Sequence, residues 1–331
     1  MSSNSIIKIK QQNILQIKWA LIALGSATKP EIAKHTGLTV ATCGNLLNEM
    51  AKSGDAVAEN LRLSNGGRPA QAYRYCAEKT QFLSLLAISE NGTEKIYYRV
   101  VDVAEKTHSQ GSSLVRQVNL PTLKKMAMGI LKKNPAIRLV TLGVQGCIHE
   151  GIVAFSDFPE LDGRAVQSEL ESALKIPVFV ENDMNSIALG YSRVNQNEKD
   201  IAILFFPKGN PPAGGFLVDG NIVRGHSSLS GELSYFPFPF PKGSQRRFFD
   251  NTKRALPGIL QVVQATIVFF DPAVILLTGS LSKDLKKLNF EKRLQMRFAK
   301  SKLPKLLIQP NTQEEYFAGI AQLSIQRLLK I

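Results

Sequence analysis

The run Pro177-Val178-Phe179-Val180-Glu181-Asn182-Asp183-Met184-Asn185 limits the folds open to this chain more than any other segment. Three apolar, strand-forming residues, Val178 to Val180, end abruptly in a cluster of carboxylate and amide side chains. A wholly apolar strand is one covered on both faces, and in open α/β sheets ligand groups gather just beyond the carboxyl ends of such strands. Asp183, with Asn182 beside it, is therefore the first candidate binding residue.

From about Phe82 the chain keeps to the same pattern. Apolar runs predict strands at 82–88, 96–103, 138–144, 177–180, 201–206, 215–218 and 274–278, alternating with helices at 122–131, 164–174, 184–192, 258–270 and 313–329. Alternation of this kind predicts sheets with helices packed on them. The two halves look alike in kind, which predicts a duplicated α/β domain with a cleft between its lobes.

The first eighty residues are built differently. Apolar positions from Ile7 to Leu24 predict one long helix, Pro30 opens a short second helix, and Gly37 interrupts the chain before Thr39 caps a third that runs to about Ser53. Cys43, Leu46, Leu47 and Met50 share one face of that third helix, leaving Val40, Ala41, Gly44, Asn45 and Asn48 on the other. Short helix, glycine turn, helix is the helix-turn-helix arrangement. Two predicted strands, around Ala56-Val57-Ala58 and Tyr73-Arg74-Tyr75, then bracket Ser64-Asn65-Gly66-Gly67-Arg68-Pro69. That segment reads as a wing, whose glycines permit close approach to another surface and whose arginine suits a narrow minor groove. The prediction is a winged helix-turn-helix DNA-binding domain over 1–78 and an effector-binding domain over 79–331. Thr39, Val40, Gly44, Asn45 and Asn48 are the expected base-facing residues, and Lys29, Lys34, Gly67 and Arg68 the expected backbone and wing contacts.

Composition supports an anionic partner without naming it. The 331 residues carry a net charge of +14, and the nine basic residues of the stretch 283–305 face only two acids. That stretch reads as a solvated helix face, with a supplementary phosphate-contacting surface as the alternative. Three separated cysteines, an odd number, argue against a disulfide framework. No apolar run is long enough for a membrane span and no signal-type segment opens the chain, so the expected location is cytoplasmic, with no membrane partner.

Several landmarks occur in the order of one family. They are Gly66-Gly67-Arg68-Pro69 of the wing, Leu142-Gly143-Val144-Gln145-Gly146, Gly163, Ile176-Pro177-Val178 leading into Glu181-Asn182-Asp183-Met184-Asn185, Val218-Asp219-Gly220 with Gly225, Gly231-Glu232, and Leu277-Thr278-Gly279. On these the chain resembles the repressor, open-reading-frame and kinase (ROK) family of sugar-responsive regulators and sugar kinases, its xylose and N-acetylglucosamine repressors in particular. The resemblance implies an α/β fold: an N-terminal winged helix-turn-helix followed by a two-lobed, actin-like (ribonuclease H-type) sugar-kinase-like domain. It carries the family's sugar contacts onto Asn182, Asp183 and Glu232. An asparagine of the family falls on Asp157, and a histidine that also ligates zinc falls on Tyr235.

The departures shape the functional expectation. The family kinases' Asp-x-Gly-Gly-Thr turn reads Ser89-Glu90-Asn91-Gly92-Thr93 here, and their Gly-Thr-Gly-Ile-Gly loop reads Gly209-Asn210-Pro211-Pro212-Ala213. Such loops present backbone N–H groups to phosphate oxygens, and proline has none. Each charge-assisted bond lost costs about 1.5 to 3 kcal/mol. No cysteine follows Cys147, and Phe236-Pro237-Phe238-Pro239-Phe240-Pro241 stands where the resemblance would put a zinc loop. The expectation is therefore no nucleotide cofactor, no metal and no catalytic residue, with the Phe-Pro segment packed in the zinc loop's place or exposed as a partner-binding strip. The chain is expected to be a sugar-responsive repressor acting on double-stranded operator DNA as a homodimer or dimer of dimers, its effector a sugar or sugar phosphate. Two alternatives stand beside it: an ATP-dependent sugar kinase with Asp183 as base, and a regulator that needs no effector.

Overall fold

The protein is described here from a computed structural model covering residues 3–64, 67–90, 92–195, 198–240 and 243–328. The N-terminal unit comprises α1 (Ser3–Leu24), β1 (Ala27–Thr28), α2 (Lys29–Thr36), α3 (Val40–Ser53), β2 (Ala56–Ser64) and β3 (Gly67–Tyr75). Gly37 ends α2 in the left-handed region at φ 75°, and Thr39 caps α3 by accepting a hydrogen bond from the Thr42 N–H at 3.1 Å. Cys43, Leu46, Leu47 and Met50 are all buried, so α3 seats the face its apolar spacing predicts. The three strands form a sheet in the order β1-β3-β2.

Lobe 1 follows with β4 (Gln81–Glu90), β5 (Thr93–Asp102), β6 (Thr107–Val115), α4 (Leu120–Lys133), β7 (Ile137–Val144), β8 (Gly146–His149), β9 (Ile152–Ser156), α5 (Val166–Leu174), β10 (Val178–Asn182) and α6 (Asp183–Val194). Lobe 2 contains β11 (Ile201–Phe205), β12 (Ala213–Val218), β13 (Asn221–Ile222), α7 (Gln245–Phe248), α8 (Thr252–Phe270), β14 (Val274–Thr278), α9 (Phe290–Gln295), β15 (Lys305–Ile308) and α10 (Gln313–Leu328). The sheets run β10-β7-β4-β5-β6 and β13-β12-β11-β14-β15. Each joins three parallel strands to an antiparallel pair, so the lobes repeat one topology.

α6 and α10 lie between the two sheets, where Met184, Ile187, Tyr316 and Ile320 share a core with Leu86, Ile203 and Leu276. Their crossing is held at backbone contact by glycine. A Cβ on Gly190 would stand 1.7 Å from the Glu315 carbonyl oxygen, and one on Gly319 1.8 Å from that of Ser186. The far half of α10 leaves the lobes behind: Ala321, Ile325 and Leu328 pack with Ile17, Leu21 and Tyr73 of the N-terminal unit and with Phe179 of β10. The N-terminal unit and lobe 1 therefore share one apolar core.

Some elements differ from the sequence expectation. β6, the β8–β9 hairpin and β15 are strands that the sequence expectation did not include. α8 begins at Thr252 and runs through Pro257, because Asn251 caps it by accepting from the Lys253 and Arg254 N–H groups. The basic stretch 283–305 is not one helix face. It is a chain of single turns around α9, broken at Asn289 (φ 53°), with Leu285, Phe290 and Leu294 turned inward. The Phe-Pro segment packs against α7 and α8: Phe238 is buried, Phe238 and Phe240 stack at 5.0 Å, and Phe240 and Phe248 at 4.1 Å. Pro241 lies outside the described residues. Among the described residues no helix is long and apolar enough to cross a membrane, and no group of His, Cys, Asp and Glu has the geometry to hold a metal ion.

Candidate functional site

β10 ends where the sequence places its polar cluster, and α6 starts on the next residue. Asn182 caps α6: its Oδ1 accepts the Asn185 N–H at 3.0 Å, and its Nδ2 donates to the Gly146 carbonyl at 2.7 Å. This ties the cluster to the β8–β9 hairpin. Asp183 is 5% exposed, and its Oδ1 accepts the Met184 N–H at 2.9 Å. Glu181, also buried, pairs with Arg224 of lobe 2 and accepts from Asn185 Nδ2 at 3.1 Å.

Two cavities meet at Asp183. The first, about 240 Å³, brings together Asp157, Asn182, Asp183 and Glu232, four of the five expected effector contacts, with Ser234 and Arg246. Tyr235, the fifth, does not line it; the side chain is 63% exposed and its ring packs edge-on against Phe155 at 5.6 Å. A turn of 3-10 helix at Leu233–Tyr235 points the neighbouring Ser234 inward instead. Arg246, on the short α7, is the residue that sequence reasoning missed. No spacing links it to the Asn-Asp cluster, and only the fold of the Phe-Pro segment brings it there.

Three carboxyls in one small cavity disturb each other's titration. Burial pushes the Asp183 carboxyl up to about 8, with Asp157 and Glu232 adding to the shift. Burial and then Asp157 push Glu232 up to about 7. Asp157 is also raised by burial, against the pull of the Arg246 guanidinium. A ligand entering this cavity therefore meets carboxyls able both to donate and to accept hydrogen bonds near neutral pH.

The second cavity, about 320 Å³, lies between Ser89 and Tyr97 of lobe 1 and Thr278, Gly279 and Asn311 of lobe 2. Its charged residues besides Asp183 are Lys208 and Lys283. The 208–213 loop separates the cavities, with Lys208 and Asn210 on this side and Pro211 and Pro212 on the acidic side. Four of its backbone positions offer no free donor. The Lys208 N–H donates to Ser280 Oγ at 2.8 Å, the Gly209 N–H to the Phe249 carbonyl at 2.8 Å, and the two prolines have none. Across the cleft the Ser89 N–H donates to Gln145 Oε1 at 2.6 Å.

The N-terminal unit presents a separate surface. Thr39, Val40, Asn45 and Asn48 are exposed along one side of α3, and Gly44 is half-buried among them. Lys34 is exposed, whereas Lys29 is half-buried, its ammonium 5.6 Å from the Tyr73 ring centroid and its stem against Gly44. Gly67 pairs with Ser64 at the tip of the β2–β3 ladder. The expected wing contact of Arg68 concerns a side chain outside the described residues, as do residues 65 and 66.

Comparison with known proteins adds relatives of two kinds. The chain is 27% identical over 303 residues to the uncharacterized protein y4fQ of Sinorhizobium fredii, covering 78% of this chain and 75% of that one. It is 20% identical over 243 residues to a xylose repressor of Caldicellulosiruptor bescii, covering 70% of this chain and 60% of the repressor. Among solved structures, a ROK family transcriptional regulator, a homologue of the E. coli MLC protein, shares the fold over 97% of this chain and 98% of its own, with a TM-score of 0.73 at 15% identity. A putative N-acetylmannosamine kinase from Listeria monocytogenes shares it over 75% of this chain and 99% of its own, with a TM-score of 0.61 at 16% identity. Residues 88–245 match the model of the ROK family, and the chain carries a ROK family domain of actin-like, sugar-kinase-like α/β architecture.

Proposed function

We propose that the protein is a DNA-binding transcriptional regulator, with residues 1–78 as a winged helix-turn-helix and residues 79–331 as a sugar-sensing ROK domain without kinase activity. The observation that carries this reading is the pairing of an intact polar cavity at Asp183 with a neighbouring loop unable to cradle phosphates. A nucleotide needs several N–H donors aimed at its phosphates. Here Gly209 and Ser89 have given theirs to Phe249 and Gln145, and Pro211 and Pro212 supply none. A sugar needs hydroxyl partners, and Asp157, Asp183 and Glu232 remain grouped to provide them. A phosphorylated sugar would set its phosphate toward Lys208 and Lys283.

The exposed side of α3 offers amides and hydroxyls, groups able to read base edges in a major groove. A two-fold dimer would present two such helices to a palindromic operator. The apolar core shared by the N-terminal unit and lobe 1 gives the sugar cavity a packed route to that surface.

Fluorescence anisotropy with duplexes from upstream of the protein's own gene, with and without a sugar panel, tests the reading. Nanomolar binding that a sugar changes supports it, while DNA binding indifferent to every sugar favours the effector-free regulator. ATP-dependent phosphorylation of any hexose, lost in Asp183→Asn, overturns it in favour of a kinase using Asp183 as base.

A further inference from the structure

The outer edge of lobe 1 combines two features that neither the sugar cavities nor the α3 surface uses. The first is an open strand. β6 stands last in its sheet and, among the described residues, pairs only with β5. Natural edge strands are guarded by lysines, prolines or bulges that stop another chain from pairing. The stretch from Ser109 to Val115, Ser-Gln-Gly-Ser-Ser-Leu-Val, carries no charge and no proline, and its register breaks only at its start, opposite Val100 and Val101. Leu114 on this edge is 70% exposed.

The second feature is charge of one sign. From Lys106 to His149 the chain holds seven basic residues, Lys106, Arg116, Lys124, Lys125, Lys132, Lys133 and Arg138, and neither an aspartate nor a glutamate. The fold gathers this bias into a trough of about 950 Å³ between β6 and α4, lined by Tyr98, Ser109, Ser113, Arg116, Lys125 and Lys133 among others, none of them acidic. Tyr98 lies flat across the strand because Gly111 has no side chain; a Cβ there would stand 2.8 Å from the ring. The three cations of the trough are exposed and form no ion pair among the described residues.

We infer that this edge docks an extended, acidic segment of a partner protein, which adds to lobe 1 as a sixth strand beside β6 and lays carboxylates over Arg116, Lys125 and Lys133. In strand addition, main-chain hydrogen bonds supply affinity and alternate side chains supply specificity. The unguarded edge and the cationic trough meet these two needs on one strand. A second copy of this chain is disfavoured as the occupant, because pairing β6 with β6 would bring two acid-free basic faces together. Duplex DNA would satisfy the cations but has no use for the open backbone positions of β6.

The test is hydrogen–deuterium exchange on the full-length protein with a blocked peptide of alternating glutamate and valine. Exchange across 107–115 is expected to slow by about tenfold while the cleft and α3 are unchanged. Protection should weaken with added salt, be absent with the matching lysine–valine peptide, and disappear in the double variant Lys125→Glu/Lys133→Glu, whose melting temperature stays at the wild-type value because both side chains are exposed. Absence of protection at about 1 mM peptide, the weak end of specific association, overturns the proposal, as does protection that survives the double variant. Slow exchange of β6 that depends on protein concentration without peptide would assign the edge to a second copy. Protection of α4 but not β6 by a DNA duplex would assign the cations to nucleic acid. Either result also overturns it.

Discussion

The two cavities that meet at Asp183 are built from opposite materials. One gathers three carboxyls around a single guanidinium; the other has Lys208 and Lys283 and a loop in which the Lys208 and Gly209 N–H groups are already committed. In a carboxyl-rich pocket, function rests on a few buried side chains. In a phosphate cradle it rests on backbone conformation, which two prolines are enough to remove. A side-chain site and a main-chain site therefore lie side by side in one cleft and depend on different features of the sequence.

The harshest way to break the comparison is to spoil both cavities together. Gly319→Ala forces a Cβ against the Ser186 carbonyl, where backbone cannot yield. It should cost about 3 kcal/mol, the upper part of the overpacking range, and lower the melting temperature by about 4 °C in a calorimetric scan. Asp183→Asn is aimed at the junction. It should abolish the thermal shift given by any sugar that stabilises the wild type, by several degrees at saturating ligand, while leaving DNA affinity unchanged in the absence of sugar. A retained shift would separate Asp183 from ligand binding.

The carboxyl side also predicts a pH dependence. Asp183 and Glu232 have folded-state pKa values raised to about 8 and about 7, so the folded protein holds protons that the unfolded chain has released. Their contribution to stability is fully present below about pH 4 and is lost as pH rises through 7 and 8. The melting temperature should therefore fall between pH 5 and pH 8 by a few degrees, and Asp183→Asn should flatten that slope. Smaller still is the effect of Lys208→Ala/Lys283→Ala, which should weaken a phosphorylated sugar about tenfold and leave its neutral parent unaffected, as measured by titration calorimetry. Equal loss for both ligands would mean that the lysines do not face a phosphate.

Much of the fold is legible in the residues, and for physical reasons. Val178 to Val180 are apolar because both faces of β10 are covered, and α3 shows its buried face through Cys43, Leu46, Leu47 and Met50. β6 escapes notice because an edge strand needs no apolar alternation. The stretch 283–305 misleads because its cations mask the inward Leu285, Phe290 and Leu294. In the site, Asp183 and Asn182 announce themselves by position at a strand end. Arg246 does not, since its place depends on how the phenylalanine stack folds α7 back across the cavity. Tyr235 shows the converse: its position in the sequence predicts a contact in the cavity, but the ring packs outward against Phe155 beside the 3-10 turn.

The glycine crossing of α6 and α10 has a mechanical meaning. Two helices whose backbones touch have no layer of side chains between them to absorb a displacement by changing rotamer. α6 begins at Asp183, and α10 ends in the apolar core beneath α1 and β3. A tilt imposed on the first turn of α6 must then reappear as a tilt of α10 about the Gly190–Gly319 contact, as a seesaw turns on its pivot, and α1 rides on the far arm.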